Sequence, residues 1–119
     1  MMPDWFEIEN DDQILSPALL FYPERIQKNI QSMIETAGSA DRLRPHVKTY
    51  KCREIVKMQM DAGITRFKCS TLAEAAMLGK CKAPDVLIAY PLTGPNQNGY
   101  LRLIKQFPDT SFSTLVDHP

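Results

Sequence analysis

Short apolar runs alternate with helical patterns along this chain. Apolar residues recur at helical spacing in the stretches that follow Pro23, Lys51 and Thr71, as they do on one face of an amphipathic helix. The apolar runs between these stretches have the length of strands, and they are 18–22, 43–48, 65–69, 85–89 and 110–116. Strands that alternate with helices are typical of βα units around a parallel sheet. The sequence therefore predicts an α/β fold.

The ends of the predicted helices are marked by particular residues. The first begins at Pro23, which is favoured at the first helical position, and is ended by Gly38. The second covers 51–62 and is followed by another glycine. The third opens after Thr71 with Glu74 three positions on, which is the reciprocal capping pair of a helix start.

The longest predicted loop follows the 85–89 run. It covers Tyr90–Asn98 and contains two prolines and Gly94, which favour turns. The 85–89 run is itself almost wholly apolar, as expected for a strand that is covered on both faces. Leu101 and Ile104 then mark a fourth helix.

Length and charge narrow the classes of protein. The 119 residues suffice for one small domain, and the 14 basic and 14 acidic residues balance, so nothing predicts binding to nucleic acid or to an anionic membrane. The apolar runs are far shorter than the roughly 20 residues that span a bilayer. Acidic residues follow Met1-Met2-Pro3-Asp4, where a secretory signal would be basic and then apolar. We therefore expect a cytoplasmic protein.

The three cysteines, Cys52, Cys69 and Cys81, form neither an even set nor a Cys-x-x-Cys pair. Reduced thiols are the simplest interpretation. A zinc site made by Cys69, Cys81 and His46 would match no structural zinc spacing, and buried cysteine commonly serves as a small apolar filler. We expect no metal site within this chain.

Lys48 is the first candidate for chemistry. It lies at the end of the predicted 43–48 strand, directly after the apolar Val47, with polar residues around it. Reactive groups of parallel βα folds gather at the C-terminal ends of the strands. A lysine in a partly dry pocket there can bond covalently to a carbonyl cofactor. Spacing alone also allows a solvated lysine at a strand end.

Other polar residues are predicted to lie at the same edge of the sheet. Ser70 with Thr71, Tyr90 and the pair 117–118 each follow a predicted strand, and His46 shares a strand face with Lys48. Each residue also has a structural interpretation. Thr71 can serve as a helix cap, His46 as a hydrogen-bonded core residue, and Tyr90 as a half-buried packing residue.

Arg44 and Tyr50 flank the same segment. Arg44 can approach a cofactor or pair with a carboxylate deeper in the fold, and Tyr50 can pack half-buried with its hydroxyl on a partner. No Gly-rich phosphate loop is present, because the five glycines are scattered singly.

The motif Arg-Pro-His-Val-Lys-Thr at 44–49 carries a family resemblance. With Ser-Thr-Leu-Ala-Glu-Ala at 70–75, it resembles the D-threonine aldolase and D-serine dehydratase group of pyridoxal phosphate enzymes, which are similar to alanine racemase in their N-terminal barrel. Similar segments at 16–20 and 85–91 extend the likeness over about residues 5–117. The group usually reads Val-Lys-Thr-His-Lys, and here Tyr50 takes the place of the histidine.

The resemblance implies the N-terminal half of an alanine-racemase-like TIM barrel. Such a barrel takes about 250 residues, so 1–119 is expected to be a single partial domain, with the remaining barrel and a C-terminal β domain outside it. We expect parallel strands at about 43–48, 66–69, 85–89 and 111–116. The 18–22 strand should lie outside that set, because the leading strand of the group joins the second domain.

The resemblance also implies a function. It predicts a pyridoxal phosphate-dependent lyase that acts on D-amino acids, of the D-threonine aldolase or D-serine dehydratase type, with the cofactor as a Schiff base on Lys48. Arg44, His46, Tyr50 and Thr71 are expected to bind the cofactor together with Lys48. A divalent metal is expected only in the complete protein, through residues outside this chain.

Other classes stay open. An amino-acid racemase of the alanine racemase type is one alternative, and a non-catalytic pyridoxal phosphate carrier is another. The expected partners are a small-molecule D-amino acid substrate and a second copy in a homodimer. The half barrel alone leaves sheet edges unpaired, so we expect it to complete its sheet with another copy or to belong to a longer polypeptide, and to be inactive in isolation.

Overall fold

A three-stranded parallel sheet organises the computed structural model, which describes residues 4–117. The strands are β1 (Arg66–Cys69), β2 (Asp85–Pro91) and β3 (Ser111–Leu115), in the order β1-β2-β3. The helices are α1 (Pro23–Ala37), α2 (Arg53–Asp61), α3 (Leu72–Lys80) and α4 (Pro95–Gln106). Two single turns of 3-10 helix lie at Asp11–Gln13 and Ala40–Arg42. The predicted α/β class is confirmed.

The sheet is wound in one direction. Neighbouring strands follow one another in the chain, with α3 between β1 and β2 and α4 between β2 and β3. Right-handed crossovers in one direction place both helices on the same face of the sheet, and α3 and α4 do contact each other. Successive βα units of a barrel have this arrangement, whereas a doubly wound sheet has helices on both faces.

The helix-covered face of the sheet forms the core. Phe67 and Cys69 of β1 are fully buried, and so, to within 1%, are Val86 and Ile88 of β2. The registered pairs Phe67–Val86 and Cys69–Ile88 lie side by side on this face. Val47, Ile64 and other apolar residues complete the same cluster. The residues between them point to the opposite face and are only half-buried. The prediction that 85–89 is covered on both faces is therefore wrong for the described part of the chain.

Helix α1 has the predicted limits. Pro23 occupies its first turn, and Gly38 ends it with a φ of +84°, a value that glycine adopts without strain. Helix α2 is shorter than the predicted 51–62, because it begins only at Arg53. Lys51 has a φ of +45°, which lies in the left-handed region and excludes it from a right-handed helix.

The predicted strand 43–48 is reduced to a single bridge between His46 and Lys68. Lys68 N donates to Pro45 O (2.8 Å), and Val47 N donates to Lys68 O (2.9 Å). The ladder stops there for two reasons. Pro45 has no N–H to donate, and the chain turns after Val47, where Lys51 N donates to Val47 O (2.8 Å).

Two further boundaries differ from the prediction. The segment 18–22 is not a strand, although it lies outside the sheet as expected. The predicted loop 90–98 shrinks to 92–94, because β2 continues to Pro91 and Pro95 begins α4. A proline at the first helical position starts a helix as readily as a proline in a loop makes a turn. Strand β3 ends one residue before Val116, and His118 lies outside the described residues.

None of the helices in residues 4–117 has both the length and the apolar character to cross a membrane.

Candidate functional site

A cleft lies where β1 and β2 end and α3 and α4 begin. Its volume is about 410 Å³. It is lined by Ser70, Thr71, Leu72, Ile88, Tyr90, Leu92 and Asn96. Three of the strand-end residues predicted from the sequence, Ser70, Thr71 and Tyr90, are therefore brought together.

Lys48 is connected to this cleft by hydrogen bonds. Lys48 N donates to His46 Nδ1 (3.3 Å), and His46 Nε2 lies 3.1 Å from Ser70 Oγ. Because Nδ1 accepts, the proton of the ring is on Nε2, which donates to Ser70. His46 is thus a neutral imidazole between the lysine main chain and a hydroxyl that lines the cleft.

The electrostatic surroundings of His46 agree with its neutral state. Burial lowers the pKa of His46 below its ordinary value of 6.5, and the positive charges of Lys68 and Lys48 lower it further. The carboxylate of Glu74 acts in the opposite direction but does not outweigh them. The imidazole therefore adds no positive charge to a site that already contains two lysines.

Lys48 itself is exposed and lies in the turn that follows the bridge to β1. The preceding Val47 is fully buried in the core and anchors the turn. The ion pairs of residues 4–117 do not include Lys48. Its amine is consequently accessible while its main chain is held in place.

Arg44 and Tyr50 form hydrogen bonds with residues away from the cleft. Arg44 forms a bidentate pair with Asp85, at 2.7 and 2.9 Å, at the start of β2 and hence at the opposite end of the strand from the cleft. The Tyr50 hydroxyl donates to Oε1 of the buried Gln59 in α2 (2.7 Å). Burial raises the pKa of Tyr50 to about 12. Of the five predicted site residues, Arg44 and Tyr50 are thus hydrogen-bonded to partners outside the residues that line the cleft.

Thr71 and Glu74 form the predicted start of α3. Glu74 N donates to Thr71 Oγ1 (3.1 Å), so Thr71 caps the helix and also lines the cleft. The Glu74 carboxylate accepts from Ser70 N (2.8 Å) and pairs with Lys51 Nζ (3.2 Å). The predicted reciprocal cap is thus only half formed, because the Glu74 carboxylate accepts from Ser70 N and not from Thr71 N. The pairing of Glu74 with Lys51 was not predicted.

The metal-ligating residue types are dispersed. Within residues 4–117 no group of three or more His, Cys, Asp or Glu side chains could hold a metal ion. The three cysteines are free thiols, and burial raises the pKa of Cys69 to about 12. Cys69 is consequently an unreactive core residue.

Comparison with known proteins finds one similar sequence and one similar structure. No family model matches the chain. A curated relative, the D-threo-3-hydroxyaspartate dehydratase of Delftia sp. (strain HT23), is 36% identical over 75 residues, which are 62% of this chain and 20% of that protein. The crystal structure of the D-threonine aldolase from Filomicrobium marinum matches with a TM-score of 0.75 and 28% identity, over 87% of this chain and 28% of that one.

The chain thus spans 20% of the length of the curated relative and 28% of the length of the structural one. The dehydratase matches by sequence and the aldolase mainly by fold. Both names agree with the D-threonine aldolase and D-serine dehydratase group. The resemblance predicted from the 44–49 and 70–75 segments is confirmed. The similarity to both proteins agrees with the D-threonine aldolase and D-serine dehydratase group of pyridoxal phosphate enzymes that the sequence resembles.

Proposed function

We propose that the complete protein is a pyridoxal phosphate-dependent lyase that acts on D-amino acids, of the aldolase or dehydratase type, and that Lys48 holds the cofactor. The observation that carries this proposal is the hydrogen-bonded connection from the Lys48 main chain through His46 to Ser70, which joins the turn that contains Lys48 to the cleft. The two relatives, a dehydratase and an aldolase of D-configured substrates, support the reaction class.

The residues at the site fit such a cofactor. The exposed Lys48 offers an accessible amine, and the cleft of about 410 Å³ falls within the roughly 300–1,000 Å³ of small-molecule sites. The charges of Lys48 and Lys68 act on His46 at the edge of the cleft and favour an anionic, phosphorylated ligand. Tyr90 and Asn96 line the cleft with polar groups. When bound, pyridoxal phosphate supplies an electron sink for the bond that breaks at the substrate Cα.

The protein side chains prepare this site in separate ways. The turn anchored by Val47 holds the main chain from which the Lys48 side chain extends. His46 keeps its proton on Nε2 and directs it at Ser70 Oγ, which orients that hydroxyl at the edge of the cleft. A neutral His46 adds no third positive charge to those of Lys48 and Lys68. The electrostatic repulsion of a substrate ammonium group is therefore weaker.

Borohydride reduction tests the role of Lys48. The full-length protein is reduced in the presence of pyridoxal phosphate, and the modified peptide is mapped by mass spectrometry. We expect the label on Lys48, loss of the label in Lys48→Arg, and an unchanged label in the control Lys57→Ala, which removes an exposed lysine of α2. A label on Lys51 or Lys68 with none on Lys48 would refute the proposal.

Product analysis separates the lyase from its alternatives. An aldolase converts D-threonine to glycine and acetaldehyde, and a dehydratase converts D-serine to pyruvate and ammonia. A racemase would instead yield the L-amino acid, and a carrier would be labelled on Lys48 without turnover. Either of these last two results would replace the lyase by an alternative that shares the same lysine.

The proposal extends to the complete architecture. We propose that the βα units of this chain belong to a closed eight-stranded barrel of a cytoplasmic homodimer, with a further β domain and a divalent metal held by residues outside 1–119. The single winding direction of the sheet and the relative lengths support the barrel. Sedimentation and metal analysis of the full-length protein test the dimer and the metal.

A further inference from the structure

Glu74 is a buried carboxylate directly behind the site. Its exposure is only 4%, and it lies in the first turn of α3. Burial by itself raises the pKa of Glu74, but the hydrogen bonds from Ser70 N and Lys51, together with the charge of Lys51, outweigh burial and lower the pKa. The side chain is therefore an anion that is stabilised by two neighbouring loops.

Capping of α3 does not account for these contacts. A reciprocal cap needs the Glu74 carboxylate to accept from the N–H of Thr71, the capping residue. The carboxylate accepts instead from Ser70 N (2.8 Å), one residue earlier, and its other oxygen lies 3.2 Å from Lys51 Nζ. Glu74 consequently joins the loop after β1 to the turn that contains Lys48.

Both of these contacts lead to the main chain of Lys48. On one side, Lys51 Nζ donates to Lys48 O as well as to Glu74. On the other side, His46 Nε2 donates to Ser70 Oγ, and His46 Nδ1 accepts from Lys48 N. The N–H and the C=O of Lys48 are thus both bound by groups that converge on one buried carboxylate.

We propose that Glu74 is a positioning residue that fixes the main chain of Lys48 through Lys51 and Ser70. The inference rests on the proposed function of Lys48 for its meaning, but the constraint itself is a property of the turn and can be measured without cofactor. Lys51 is the more informative partner, because its side chain is 61% exposed and its replacement leaves the core unchanged.

Hydrogen exchange of the 47–51 amides in the full-length protein measures the constraint. Lys51→Met removes the cation, Lys51→Arg retains it, and Glu74→Gln retains an acceptor for Ser70 N but loses the charge. Glu54→Gln is the matched control, because it removes the exposed Arg53–Glu54 pair of α2, where the Glu54 side chain is 65% exposed. We expect exchange about two- to fivefold faster in Lys51→Met and Glu74→Gln, and close to wild type in Lys51→Arg and Glu54→Gln.

A second measurement separates this inference from the proposed function. Borohydride trapping of pyridoxal phosphate on Lys48 should fall by a similar factor in Lys51→Met and recover in Lys51→Arg. Wild-type exchange in Glu74→Gln, or equal acceleration in Lys51→Arg and Lys51→Met, would overturn the role of Glu74. Absence of trapping on Lys48 in the wild type would refute the proposed function alone, and exchange would still decide the constraint.

Discussion

The two faces of the sheet differ sharply although the same strands form both. On the helix-covered face, Phe67 and Val86 lie side by side and are fully inaccessible to solvent. On the opposite face, the next registered pair is Lys68 and Leu87, and both are only half-buried. In register with Leu87, β3 presents the exposed Ser113.

This difference separates stability from chemistry. Burial of apolar side chains on the helix face supplies the free energy that holds the βα units together. The opposite face carries the polar groups, with the Arg44–Asp85 pair at one end and the His46–Ser70 contact at the other. Substitutions on the helix face should therefore act on unfolding, and those near the cleft should act on cofactor binding and activity.

The largest effect is expected from Phe67→Ala. It empties a fully buried position in the centre of the core, so we expect a loss of about 3–5 kcal/mol in the free energy of unfolding. In the chain 1–119, Leu87→Ala, one strand over on the opposite face, is the control and should cost about 1 kcal/mol or less, because its side chain is already partly hydrated there. Urea denaturation measures both. Equal losses would show that the two faces are not distinct.

The sequence predicted the sheet better than its edge. The strand 66–69 and the 85–89 core of β2 were predicted correctly, because apolar residues there recur within runs bounded by turn residues, and the predicted 111–116 strand is one residue too long. The 43–48 run has the same apolar character, but Pro45 and the left-handed Lys51 break the ladder. Tertiary hydrogen bonding of this kind is invisible to local patterns.

The site was predicted in part for similar reasons. Lys48, His46 and Ser70 follow from the rule that strand ends gather at one edge, and the structure places them in one hydrogen-bonded chain. The hydrogen bond of Tyr50 to Gln59 and the salt bridge of Glu74 with Lys51 depend on how α2 and α3 pack, and sequence spacing does not contain that information.

The next largest effect concerns Tyr50. Tyr50→Phe leaves the buried Gln59 without its donor, so we expect a loss of about 1–3 kcal/mol at neutral pH. The raised pKa of Tyr50, about 12 against an ordinary 10.0, means that the fold favours the neutral phenol. This contribution is complete below pH 10 and is lost as the pH rises from 10 to about 12. The free energies of unfolding of wild type and Tyr50→Phe should converge over that range. A difference that stays constant with pH would contradict the role given to the Tyr50 hydroxyl.

A smaller effect is expected from the Arg44–Asp85 pair on the opposite face. The pair is bidentate but the two side chains are 29% and 37% exposed, so Arg44→Met should cost about 1–2 kcal/mol. The hydrogen bond to Asp85 raises the pKa of Arg44 above its ordinary value, so the pair persists across the neutral range. Borohydride trapping on Lys48 should remain near the wild-type level. A loss of trapping at preserved stability would instead place Arg44 in the cofactor site.

The smallest effect is the pH dependence of the free energy of unfolding that results from His46. Its pKa lies below 6.5 when the protein is folded and near 6.5 when it is unfolded, so the unfolded chain takes up the proton first as the pH falls. The stabilisation is complete above pH 6.5 and decreases as the pH falls through the folded pKa, since a proton on Nδ1 would displace the hydrogen bond from Lys48 N. Urea denaturation from pH 8 to pH 5.5 measures this. We expect the slope to flatten in His46→Gln and to persist in the control variant His118→Asn, which removes the second of the two histidines. A slope that is unchanged in His46→Gln would show that His46 binds protons equally in the folded and unfolded states over this range.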